Sequence, residues 1–153
     1  MMTVPGGVGQ MADTLGDLVR VAWTTVTGSE LRRVDPTPLG PRVVCSSIAL
    51  SGPGNALVML FADQDLARRG TSSALGSSGG EVGEDAIHDV LGEVVNIIGG
   101  NLKGALQDGV VSWQLSLPVV SEAMQHSPGS RSVADVCFRA GDAVLRCQIL
   151  EHR

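Results

Sequence analysis

The sequence predicts an α+β fold in which a long central helix packs on an antiparallel β-sheet. Three observations carry that expectation. The stretch Asp85–Leu106, DAIHDVLGEVVNIIGGNLKGAL, places apolar residues at helical spacing over its whole length. Two strand pairs flank it, Arg42–Leu50 with Ala56–Phe61 and Val133–Phe138 with Ala143–Leu150, each closing on a turn-forming segment. Hydrophobic residues make up 43% of the 153 residues and charged residues 18%, which suits one closed core and argues against a disordered chain. One domain over residues 1–153 is therefore expected.

Taken in order, residues 1–10 (MMTVPGGVGQ) are Gly-rich and expected to be disordered; they show neither the basic nor the apolar region of a signal peptide. Met11–Thr27 has helical spacing, with Leu15, Leu18, Val19, Ala22, Trp23 and Val26 on one side, and Gly28-Ser29 stops it. Asp35–Pro41 holds three prolines and reads as an extended connection. The first hairpin turns through Ser51-Gly52-Pro53-Gly54-Asn55. Asp63–Arg69 reads as a short helix capped by Asp63, and residues 70–83 as a flexible Gly/Ser loop. The GGEVG inside that loop lacks the strand-before, helix-after context and the Lys-Ser/Thr of a phosphate-binding loop. After the main helix, Val110–Val120 alternates as one strand ending near Pro118, Ser121–Ser132 is a polar loop, and the second hairpin turns through Ala140-Gly141-Asp142.

Composition narrows the functional classes. A net charge of −5 without a basic cluster argues against nucleic acid, and no apolar run reaches the length of a membrane span. Cys45, Cys137 and Cys147 are odd in number, lack CxxC spacing and sit in strand-like runs, so they are expected to be buried apolar residues in a reducing, cytoplasmic setting. His88, His126 and His152 share no ligand spacing, so no metal site of the chain's own is expected.

The main helix has two faces. Ile87, Val90, Leu91, Val94, Ile97, Ile98, Leu102 and Ala105 form a broad apolar side, which also takes in Asn101 as a buried structural amide. Asp89, Glu93, Asn96, Gly100, Lys103 and Gln107 form a narrow polar row edged by Gly92, Gly99 and Gly104. Glycine costs about 1 kcal/mol relative to alanine in a helix interior, so glycines beside one polar row suggest that something must approach it closely. An echo of this helix lies 76 residues upstream, where Asp13-Thr-Leu-Gly-Asp17-Leu-Val-Arg20 matches Asp89-Val-Leu-Gly-Glu93-Val-Val-Asn96. The upstream copy has Arg20 where the downstream one has its amide.

Asp89-x-x-x-Glu93-x-x-Asn96, then Gly100-Asn101, then a strand ending in Leu117-Pro118, resembles the CheX/CheC/FliY group of chemotaxis phosphatases, and the single copy of the motif is more like CheX than CheC. The 21 residues between Asn96 and Pro118 are one fewer than the group's pattern has. The resemblance implies a CheC/CheX-like fold and dephosphorylation of the aspartyl phosphate of a CheY-like response regulator. It implies Glu93 and Asn96 as the catalytic pair, Asn96 orienting a water in line with the phosphorus and Glu93 pairing with the receiver's lysine. Asp89 and Gly100 would contact the partner, Gly100 by keeping the ridge low. The protein would need no cofactor, because the receiver brings its own Mg2+, and CheX-like proteins are dimers. The alternative, of another class, is a non-catalytic binding or dimerisation module in a chemotaxis or signalling complex.

Overall fold

The computed structural model describes residues 7–76, 82–106, 112–122 and 129–152. Its elements follow the order α1 (Gly7–Thr27), β1 (Arg32–Val34), β2 (Val43–Ser51), β3 (Asn55–Asp63), α2 (Gln64–Ala74), α3 (Glu84–Leu106), β4 (Gln114–Leu115), β5 (Val119–Ser121), β6 (Ser130–Ala140) and β7 (Ala143–His152). Helices pack on an antiparallel seven-stranded sheet of order β1-β6-β7-β3-β2-β4, with β5 also on β2, as the α+β reading expects.

Alternation along the strands decides which face meets the helices. Val44, Ile48 and Leu50 of β2, Val58 and Leu60 of β3, Leu145 and Ile149 of β7 and Val136 and Phe138 of β6 share one core with the helices. From α1 come Leu15, Val19 and Trp23, and from α3 Leu91, Val94, Val95, Ile98 and Leu102. The intervening strand positions face the other way, where Cys45, Met59 and Phe61 form a smaller buried cluster beneath Leu39 of the Pro-rich connection. All three cysteines are buried and outside any disulfide, and burial pushes the Cys147 thiol far above its ordinary range.

Several boundaries differ from the sequence reading. Helix α1 begins at Gly7, so residues 7–10 are helical rather than frayed; residues 1–6 lie outside the described residues. Gly28, at φ 74°, ends the helix in the left-handed conformation that glycine adopts without strain. β1 was not foreseen; its three residues pair with β6 through Arg32–Arg139 and Val34–Cys137. Asp63 stands at the start of α2 but makes no side-chain cap bond. Its carboxylate instead accepts from the backbone N–H of Gly40 at 2.6 Å and of Val144 at 2.7 Å, tying the connection and β7 to the end of β3.

Helix α2 runs on to Ala74, so residues 70–74 are not loop. Gly70 and Thr71 are buried, and Trp23 of α1 lies against Gly70, where a Cβ would stand 2.6 Å from the indole. That contact is long-range and leaves no trace in local composition. Residues 77–81 of the expected loop lie outside the described residues, as do Val110 and Val111 and residues 123–128 of the expected Ser121–Ser132 loop, whose ends are strand instead: Ser121 closes β5 and Ser130 opens β6.

Candidate functional site

Helix α3 presents the polar row over its described length; Lys103 is half-buried and Gln107 lies outside the described residues. Asp89, Glu93, Asn96 and Gly100 are all exposed. At 1.5 Å rise per residue, Asp89 and Asn96 stand about 10 Å apart along the axis, with Glu93 between them. Glu93 and Asn96 are three residues apart, which puts their Cβ atoms about 5–6 Å from each other on one face. Among the described residues, none of the three polar side chains has a hydrogen bond or ion pair within the chain.

The row forms one wall of an open groove of about 460 Å³, lined by His88, Asp89, Gly92, Glu93 and Asn96 on the helix and by Leu117, Pro118 and Val120 opposite. The second wall owes its form to a bulge. β4 pairs Leu115 with Leu50, and β5 pairs Val119 with Ser47, so Ile48 and Ala49 of β2 oppose three residues, Ser116, Leu117 and Pro118. Val110–Val120 is thus not the single strand that its alternation suggests.

A one-residue slip exchanges the two faces of a strand. Before the bulge, Leu115 points at α3; after it, Pro118 and Val120 do. Ser116 pins the bulge, its N–H donating to the Ala49 carbonyl and its Oγ accepting from the Ala49 N–H, each at 2.9 Å. Pro118 has no N–H to lose from the ladder, so it fits the break. Leu117 is left 85% exposed at the groove edge. The shorter spacing from Asn96 does not move Pro118 off the groove.

The glycines beside the row have separate causes. A Cβ on Gly99 would lie 2.8 Å from Ile48 Cγ2 and 3.2 Å from Leu115 Cδ2, so this glycine lets the helix sit down on the sheet. Gly92 faces Pro118 and Val120 at ordinary contact distance. Only Gly100 and Gly104 look onto open space, so close approach by an outside body is an argument for those two and not for the set.

Asn101 is exposed, not a buried amide, and Ala105 beside it is exposed too, while Val95 is buried. In the last turn and a half of α3, Leu102 is the one buried residue. The helical wheel assigned these positions an angle, but among the described residues the elements that cover that angle do not extend so far along the helix. The sequence reading missed His88 and Val120 as groove residues. Among the described residues, His88 Nε2 is buried without a hydrogen-bond partner. The one local sign of the second wall was the proline inside an apparent strand, which marks an edge or a bulge.

No helix among the described residues is long and apolar enough to cross a membrane. The family model described as "Chemotaxis phosphatase CheX" matches residues 44–139. No curated protein sequence matches significantly. Among solved structures, the chain is similar to the chemotaxis protein CheX from Vibrio vulnificus, at 18% identity, 94% coverage of this chain, 99% of that chain and a TM-score of 0.75. CheX from Desulfovibrio desulfuricans gives 17%, 94%, 99% and 0.76 in the same order. A CheX-CheY-BeF3-Mg2+ complex from Borrelia burgdorferi gives 17%, 92%, 97% and 0.76. At such identities these likenesses speak for the fold.

Proposed function

The chain belongs to the family of the chemotaxis phosphatase CheX, and on that premise we propose that it hydrolyses the aspartyl phosphate of a CheY-like response regulator. The observation that carries this reading is the exposed, internally unpartnered pair Glu93 and Asn96 on one wall of the α3 groove. The solved complex of a similar CheX with CheY supports the choice of partner.

An acyl phosphate already has a good leaving group, so the phosphatase must chiefly place a water in line with the phosphorus. A carboxamide suits this placement, because its oxygen accepts from the water, its nitrogen donates, and neither titrates near neutral pH. Asn96 is the residue in that role. Glu93 pairs with the receiver's lysine and fixes the docking register. Asp89 supports the end of the row, and Gly100 keeps the ridge low enough to enter the receiver's pocket. The Mg2+ belongs to the receiver, and α3 supplies only amide, carboxylate and shape. The same reading places the protein in the cytoplasm and includes a homodimer, for which the outer edge of β1 offers unpaired backbone groups.

The test is decay of a phosphorylated receiver in the presence of wild type, Asn96→Ala and Glu93→Ala. Both positions are exposed, so folding should change by less than about 0.5 kcal/mol. Asn96→Ala should slow hydrolysis about 100-fold while the receiver still binds. Glu93→Ala should weaken binding as well. Equal decay with wild type and Asn96→Ala rejects the reading and leaves a binding module.

A further inference from the structure

The catalytic pair gives the receiver little to hold. An exposed ion pair to Glu93 contributes little affinity, and Asn96 is committed to a water. Stable docking needs buried apolar area beside the pair. Four large aliphatic side chains among the described residues are more than half exposed: Val21, Leu75, Leu117 and Val119. Of these four, Leu117 lines the groove, beside Pro118 in the wall facing Glu93 and Asn96, while Val119, paired with Ser47, points to the other face of the sheet.

We propose that the ledge of Leu117 and Pro118 is the affinity-giving half of the docking surface, and that its occupant is the receiver, through an apolar patch beside the lysine that meets Glu93. The inference rests on the function proposed above and adds the part of the surface that holds the partner. Charge complementarity identifies the occupant. Asp89 and Glu93 make the helix wall acidic, while the opposite wall is aliphatic, so the fitting surface carries a cation with apolar neighbours. Apolar contact around that pair excludes water, and the attraction between the charges rises as the local dielectric falls.

The ledge is also held in place before docking. Trp113 is buried on one side of it, Ser116 is bonded twice to Ala49, and the ring of Pro118 fixes its own φ. A ledge already ordered loses little entropy on binding. A bulge that turns Leu117 outward at the mouth of a groove otherwise leaves an apolar side chain in water with nothing to contact.

The experiment titrates the full chain into a panel of CheY-like receivers loaded with beryllofluoride and Mg2+, and follows decay of the same receivers when phosphorylated. Leu117→Ser should raise Kd about tenfold, which is about 1.4 kcal/mol, and raise KM with a much smaller change in kcat. Leu75→Ser, an equally apolar change away from the groove, should bind as wild type. If Leu117→Ser lowers Tm, Leu117→Ala tests the same contact with less disturbance. Unchanged Kd in Leu117→Ser overturns the proposal, and so does an equal loss in Leu75→Ser. Decay accelerated by wild type with binding indifferent to the ledge rejects the ledge alone. Weakened binding in Leu117→Ser without any acceleration by wild type upholds the ledge and rejects the catalytic reading. If no receiver of the panel binds, both fall.

Discussion

At an offset of 76 residues, α1 and α3 share a burial pattern: Leu15 and Leu91, Val19 and Val95, and Ala22 and Ile98 are all fully buried. The likeness extends to the sheet. Exchanging β1, β2 and β3 with the β4/β5 edge, β6 and β7 maps the strand order onto itself reversed, and α2 has no counterpart. Even the glycines correspond. A Cβ on Gly16 would meet Arg33 of edge strand β1 at 3.3 Å, and one on Gly92 would meet Pro118 of the opposite edge at 3.7 Å.

The polar rows differ in what they face. On α1, Asp13 is paired with Arg33 at 2.8 Å and Asp17 with Arg20 at 3.6 Å, so the row is neutralised within the chain. On α3, Asp89, Glu93 and Asn96 have no such partners among the described residues, and the neighbouring edge strand supplies a proline and an exposed leucine in place of an arginine. One architecture thus yields a closed face and an open one. The difference lies in a few side chains on the row and on the edge strand beside it. A row whose charges are already paired is scaffold; a row left unpaired beside a groove can take an external partner.

The largest effect that would sharpen this contrast is functional. Arg20→Ala sits where Asn96 sits in the other unit. It should leave receiver decay unchanged in the assay in which Asn96→Ala slows it about 100-fold. Comparable losses at both positions would break the distinction between the two rows.

The next effect is on stability and compares two adjacent glycines of α3. Gly99→Ala drives a Cβ into Ile48 and Leu115 and should cost about 1–3 kcal/mol despite the helix propensity gained. Gly100→Ala meets open space and should stabilise the helix by up to about 1 kcal/mol, while weakening receiver binding by raising the ridge. Denaturant unfolding and receiver titration on both variants give the signs. A stabilised Gly99→Ala would contradict the close seat of α3 on β2.

The smallest effect concerns the ion pairs of α1. Asp13→Ala removes an exposed pair and should lower stability by no more than about 1 kcal/mol, less in high salt. Asp89→Ala has no pair to lose and should leave stability unmoved while slowing receiver association. Thermal melts at two ionic strengths, with association rates measured alongside, separate the two.

Much of this was open to reading from the residues. The Asp89, Glu93, Asn96 and Gly100 row lies on the face that helical spacing assigned, and both hairpins pair about the turns marked by Gly52, Gly54 and Asn55 in one and Gly141 and Asp142 in the other, because these properties depend on neighbours within a few positions. Motif resemblance added the family. Tertiary structure alone decided the rest. It buried Gly70 beneath Trp23, exposed Asn101 past the end of the covering elements, and set Gly99 against Ile48, contacts between residues distant in the chain. It also broke Val110–Val120 into two short strands. Local alternation cannot register a slip that is defined only against the partner strand, and here that slip, held by Ser116 on Ala49, turns Leu117 out into water beside the polar row of α3.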